Sequence, residues 1–130
     1  SSIPNVIFVS MDTPSNKLIE FSQLTATCTG SVVWEGMMAG RPGLTFGATW
    51  HSRCSSSPII DSIDTARLEI NRLFKVGRGE VKESVEDFLR KNVCSFVEGV
   101  NSIQAAEGSS IPNDRLIANL ASAIEECSGK

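Results

Sequence analysis

The chain has 130 residues, the size of one ordinary domain, and at that length roughly two-thirds of the unfolded surface can be buried without a metal or disulfide staple. Hydrophobic residues make up 41% and charged residues 21%, with ten Gly and five Pro, which excludes a disordered tail, a collagen-like repeat and a disulfide-dense scaffold. The formal net charge is −3 and the Lys and Arg residues are scattered, so no basic face offers itself to nucleic acid.

No apolar run approaches the roughly 18 residues that span a bilayer, and Ser1-Ser2-Ile3-Pro4 is not a signal peptide. The expectation is a soluble, cytoplasmic chain with no transmembrane segment. Cys28, Cys54, Cys94 and Cys127 lie far apart with no C-x-x-C, and His51 is the only histidine. Zinc sites are usually built from close pairs, so these cysteines read as free thiols in a reducing compartment, and no metal or cofactor is expected.

Residues 5–10, Asn-Val-Ile-Phe-Val-Ser, form a continuous apolar run rich in β-branched side chains, the pattern of a strand buried on both faces. Asp12-Thr13-Pro14-Ser15 supplies cap-type residues and a proline suited to a first turn, so a short helix is expected through residues 17–21. Residues 24–28 read as a second strand, Thr29-Gly30-Ser31 as a tight turn, and residues 32–39 as a helix ended by Gly40. Arg41-Pro42 leads to a third strand over residues 43–46. This β-α-β-α-β order with short connections predicts a Rossmann-like, three-layer α/β/α parallel sheet over residues 5–60.

Residues 48–60 read as a loop, and residues 61–130 as helical within the same single domain. One apolar stripe is Ile63, Ala66, Ile70 and Phe74, broken by Gly77-Arg78-Gly79. A second is Val81, Val85, Phe88, Leu89, Phe96, Val97 and Val100, and a third is Leu116, Ile117, Leu120, Ala121 and Ile124, with Asp114 as a candidate cap. All three are expected to face the core. Three strands are few for a doubly wound sheet, which normally has five or six, so the chain reads as the later part of a larger α/β domain.

In an open parallel sheet, ligands bind where strand ends lead into helices, which here means residues 10–15, 28–32 and 47–54. At the middle turn, Thr29, Gly30 and Ser31 combine two hydroxyls with backbone N–H groups at a helix start. Such a turn can hold a phosphate, or its hydroxyls can simply cap the helix. Glu35 lies one turn inside that helix. It is not the acid of a capping box, which a Ser31 cap would require at position 34. Helical side chains lean towards the N-terminus, so its carboxylate points back at the turn, where it can accept the hydroxyls of a ribose. The helix around it is otherwise apolar, and an acid in such company asks for a reason.

The stretch Thr29-Gly-Ser-Val-Val-Trp-Glu-Gly-Met-Met-Ala-Gly-Arg-Pro-Gly-Leu-Thr-Phe-Gly47 resembles a segment of bacterial capsule polysaccharide biosynthesis proteins. There a Thr-Gly turn, Trp-Glu, Gly-Arg-Pro or Gly-Lys-Pro, and Phe-Gly follow in the same order. The resemblance covers roughly residues 5–60. Those proteins are glycosyltransferases of capsule and lipopolysaccharide assembly and include retaining β-Kdo transferases that use CMP-Kdo. The resemblance implies a GT-B arrangement of two Rossmann-like halves, with this chain as the last part of the donor-binding C-terminal half. It implies a CMP- or UDP-sugar as ligand, Thr29, Gly30 and Ser31 on the donor phosphate, and Glu35 on the ribose. The acceptor site and the catalytic carboxylate would come from the N-terminal half or a partner chain, so the isolated chain is expected to be inactive. A peripheral place at the inner membrane is compatible with that role.

His51 departs from the pattern, because relatives often carry a tyrosine near this point. The resemblance puts it in reach of phosphate or base, while on its own it reads as an exposed loop residue, as does Arg53. Other classes fit these residues less well. A sugar-nucleotide epimerase would share the fold but usually has a glycine pair and two acids after the turn. A Cys–His hydrolase would pair Cys28 with His51 but has no evident orienting acid. A receiver domain needs more acids than Asp12 after the first strand, and the phosphate-loop and dinucleotide fingerprints are missing. The alternative is a non-enzymatic nucleotide-binding or partner-binding domain, for which an exposed apolar sheet edge offers a route to a homodimer.

Overall fold

The computed structural model describes residues 3–93 and 110–128. Among them are five helices, α1 (Ser15–Phe21), α2 (Val32–Met38), α3 (Ile63–Leu73), α4 (Arg78–Asn92) and α5 (Asn113–Ser128), and two strands, β1 (Thr25–Thr27) and β2 (Gly43–Thr45). The chain divides into two compact units, Ser1–Arg90 and Lys91–Lys130. No described helix is long and apolar enough to cross a membrane.

The strands pair in parallel, with Thr25 opposite Gly43, Ala26 opposite Leu44 and Thr27 opposite Thr45. Their connection is α2, as a parallel pair requires. Two glycines let that helix lie close on the strands. A Cβ on Gly36 would come within 2.7 Å of Thr25 Oγ1, and one on Gly43 within 2.6 Å of Val33 Cγ1. The helix ends at Gly40, whose φ of 76° is a left-handed conformation that an L side chain resists.

The expected three-layer Rossmann-like sheet is corrected by this architecture, and with it the GT-B half that the expectation stood for. The described sheet has two strands of three residues each. Residues 5–10, expected as its first strand, have no strand pairing and are exposed along their length. Asn5 has a φ of 63°, and the apolar side chains that follow meet solvent. An apolar run carries strand propensity, but a strand also needs an edge to pair with, and here the run lies on none. A different segment borders β2 instead. Thr45 bridges in parallel to Ile59, with Thr45 N–H donating to Pro58 O at 3.1 Å and Ile60 N–H donating to Thr45 O at 2.7 Å.

Buried apolar residues form two clusters, and β2 contributes Leu44 to one of them. In one, Val33 and Met37 of α2 pack with Cys54 and with Val81, Val85 and Phe88 of α4. In the other, Leu44 packs with Ile60 and with Leu73 of α3. Val76, in the link between α3 and α4, touches both clusters.

The helical second half stands where described, with changes to its stripes. In α3, Ala66 and Ile70 pack inward together with Leu73, which the expected stripe omitted, while Ile63 and Phe74 are exposed. In α4 the stripe of Val81, Val85 and Phe88 is buried. In α5 only Leu116 is buried among the expected stripe residues, and Ile117, Leu120, Ala121 and Ile124 are exposed. Asp114 lies in the first turn of α5, inside the helix rather than at its cap. Phe96, Val97 and Val100 fall outside the described residues.

Candidate functional site

The turn from β1 into α2 is closed by its own side chains. Gly30 N–H donates to Thr27 Oγ1 at 3.0 Å, so that backbone donor is already satisfied. Ser31 sits at the N-cap of α2 in a right-handed helical conformation, and its hydroxyl makes no capping bond. It donates instead to Glu35 Oε1 at 2.6 Å. The four-residue spacing places both on one face of the helix, and the carboxylate leans back over the turn as its position predicts. Ser31 and Glu35 are both exposed. The end of β2 approaches the same turn, because a Cβ on Gly47 would lie 3.1 Å from Thr29 Cγ2 and 3.2 Å from Cys28 O. Thr29, Gly30, Ser31 and Glu35 are therefore brought together, with Gly47 beside them.

Glu35 also forms part of the wall of a cleft of about 520 Å³ between α1 and α2. Trp34 and Met38 of α2 and Ile19 of α1 supply apolar surface, while Arg41 and Arg78 bring guanidinium groups. The volume falls in the range of small-molecule sites, roughly 300–1,000 Å³. Arg41 is anchored by donating from Nη2 to the Glu20 carbonyl at 2.6 Å. Arg78 is held against the helix end, since a Cβ on Gly40 would meet Arg78 Cβ at 3.2 Å. A carboxylate and two cations around an apolar floor suit a ligand that has hydroxyls, an anion and a flat apolar part.

His51 is not the exposed loop residue that sequence suggests. It is 1% exposed. Its Nδ1 lies 3.1 Å from Ser57 Oγ and 3.3 Å from Thr49 Oγ1, and its ring stands edge-on to Trp50 with centroids 5.3 Å apart. Trp34 packs against Trp50 at 4.5 Å, and Phe88 of α4 completes the aromatic group. Burial favours the neutral imidazole and lowers the His51 pKa from its ordinary value of 6.5. Among the described residues His51 hydrogen-bonds to Thr49 and Ser57, and not to the Ser31–Glu35 pair or to Cys28. The Cys28–His51 pairing of a hydrolase is thus not assembled, and Cys28 is an exposed free thiol. His51 reaches the cleft only through the ring of Trp34, 6.1 Å away.

The loop that buries His51 is a run of turns. Thr49 N–H donates to Ser52 Oγ, Cys54 N–H to His51 O and Ser57 N–H to Cys54 O. Two helices pin it, Ser84 of α4 through Ser55 Oγ at 2.6 Å and Arg72 of α3 through Ser55 O at 2.8 Å. Arg53 is exposed. Sequence reasoning missed Arg41 and Arg78 as candidates for the site. Arg41 follows the αL glycine and Arg78 opens α4, and only packing at Gly40 brings them to one cleft. Among the described residues no group of three or more His, Cys, Asp or Glu side chains is arranged to hold a metal ion.

Comparison with protein-family models, with curated proteins and with solved structures finds no match for the chain.

Proposed function

We propose that the chain binds the nucleotide part of an activated sugar, as the donor-binding portion of a glycosyltransferase of the capsule polysaccharide type. The observation that carries this reading is the Ser31–Glu35 hydrogen bond at the edge of the cleft between α1 and α2. A carboxylate held by a hydroxyl in the turn below it is oriented before a ligand arrives, and its free oxygen can accept from a ribose diol. Thr29 and Ser31 would face the donor phosphate. Arg41 or Arg78 would add positive charge on the cleft side. In glycosyl transfer these groups would stabilise the negative charge that builds on the departing nucleotide. His51 then serves as a positioning residue that fixes Trp34. The groups that attack and activate the sugar lie elsewhere in the enzyme, and the chain alone binds without transferring.

An amide-shift NMR titration with CMP, UMP and GMP tests the reading. The expected result is a base-dependent shift confined to residues 29–35, 39–41 and 78, saturating at millimolar ligand and lost in Glu35→Gln. No shift at millimolar ligand, or the same shift in wild type and Glu35→Gln, would overturn it.

A further inference from the structure

Residues 6–10 and the outer edge of β1 fit one another, and neither has a strand partner among the described residues. In β1, Thr25 N–H donates to Pro42 O and Thr27 O accepts from Phe46 N–H, so Thr25 and Thr27 turn their backbone groups towards β2. By the alternation of a parallel ladder, the N–H and C=O of Ala26 point the other way, along an open edge. A small apolar groove of about 150 Å³ borders that edge, walled by Leu18 and Ile19 of α1, Thr25, Ala26 and Val32.

The matching segment is the apolar run of residues 6–10, which has no strand partner among the described residues. Ile7 is 87% and Phe8 79% exposed, and Val6 and Val9 stand out with them. Its composition is that of a strand covered on both faces, which is what an added strand here would be, with α1 on one side. Charge guards neither element. Residues 1–11 and residues 21–34 contain no Asp, Glu, Lys or Arg, whereas natural edges are commonly protected by charge. A turn separates the segment from the helix that follows, with Thr13 N–H donating to Ser10 O at 3.0 Å and Asp12 N–H to Ser10 Oγ at 3.2 Å.

We propose that residues 6–10 of one copy add in parallel to the open β1 edge of a second copy, and that the exchange is reciprocal, giving a two-fold dimer. Strand addition supplies Ala26 with backbone partners and seats alternate apolar side chains in the groove. A two-fold exchange buries both runs at once and closes as a pair, because each copy has one segment to give and one β1 edge to receive it. Four apolar side chains from each copy, with the surface they cover, bring the buried area to roughly the 1,200 Å² at which specific interfaces begin. The inference is independent of the nucleotide reading, because neither residues 6–10 nor β1 lines the cleft beside Glu35, and Ile19 of α1 borders both hollows.

The test is the mass of the whole chain in solution, by sedimentation or light scattering, from micromolar to submillimolar concentration. The expected result is a dimer that becomes a monomer in Ile7→Lys, with an unchanged circular dichroism spectrum because Ile7 is exposed in the single chain. Ala26→Pro removes the edge donor without touching the β1–β2 ladder and is expected to give a monomer as well. Mixing Ile7→Lys with Ala26→Pro leaves one intact segment facing one intact edge, half of the interface, so a heterodimer much weaker than the wild-type dimer is expected, seen only towards submillimolar concentration. Hydrogen exchange should show residues 6–10 protected only where the dimer forms. A wild-type chain that stays monomeric would overturn the proposal, as would a dimer that survives Ile7→Lys, or protection of residues 6–10 in a monomer.

Discussion

Thr25 carries the buried polar side-chain atom without a hydrogen-bond partner among the described residues, its Oγ1. The cause is the closeness of α2. Gly36 and Gly43 let backbone approach from both sides, and neither contributes an acceptor in reach. A buried hydroxyl that has lost water and found no replacement is a net cost, so Thr25→Val should raise stability by about 1 kcal/mol in urea unfolding. Thr25→Ser keeps the orphan oxygen and loses a packed methyl, so it should fall by about 1 kcal/mol in the same measurement. His51 makes a second residue-scale prediction. Its neighbours are aromatic rings and hydroxyls, and none of its described contacts is with a carboxylate that would welcome a charge. The folded pKa lies below the unfolded one, so the unfolded chain takes up the proton first. Stability is then fully present above about pH 6.5 and declines as the pH falls below it, by at most about 1.4 kcal/mol per pH unit for the one proton. Urea midpoints at pH 8 and pH 5.5 should show the loss, and His51→Gln should flatten the slope even where it lowers the midpoint.

Helix ends decide how the elements of the first unit meet. Gly40 combines a positive φ with a close approach to Arg78, so Gly40→Ala should cost about 1–2 kcal/mol, measurable as a lower thermal midpoint. Ser62 caps α3, its Oγ accepting from Thr65 N–H at 3.1 Å, and Ser62→Ala should cost about 1 kcal/mol by the same measurement. Elements with local signals of this kind were legible in the sequence. The glycine after residue 39, the proline before α1 and the period of Val81, Val85 and Phe88 each mark a helix by short-range chemistry. The Ser31–Glu35 pair was legible for the same reason, since the lean of helical side chains is fixed by the backbone. Residues 5–10 misled because a strand is a relation between two segments, and propensity reports on one. The bridge at Ile59 was missed in the opposite sense, because Ser-Ser-Ser-Pro before it reads as loop and only two β-branched residues follow. His51 could not have been read as buried. Its ring neighbours are Trp34 on α2 and Trp50 beside it, and no local pattern joins Trp34 to this loop.

The core of the first unit is two small clusters rather than one large one, and the sheet between them is too narrow to bind them by itself. What joins them is Val76. Its N–H donates to Leu73 O at 3.1 Å, which ties the link to the end of α3, and its side chain packs on both clusters. If that contact makes the unit cooperative, truncations should couple through Val76 and not directly. Leu73→Ala removes a fully covered side chain from the α3 cluster and should cost about 2–4 kcal/mol, and Val81→Ala on the α4 side about 1–3 kcal/mol. Double-mutant cycles separate the two cases. Val76→Ala combined with either truncation should deviate from additivity by about 0.5 kcal/mol or more, because each pair shares a packed surface. Leu73→Ala with Val81→Ala should be closer to additive in the wild-type background, with the remaining coupling removed when Val76 is alanine. Urea unfolding followed by Trp fluorescence reports the α4 cluster through Trp34 and Trp50, and far-ultraviolet circular dichroism reports the helices together. Coincident transitions in wild type that separate in Val76→Ala are the expected outcome. Coincident transitions in both would mean that the β1–β2 ladder carries the coupling and that Val76 is only one contact among several.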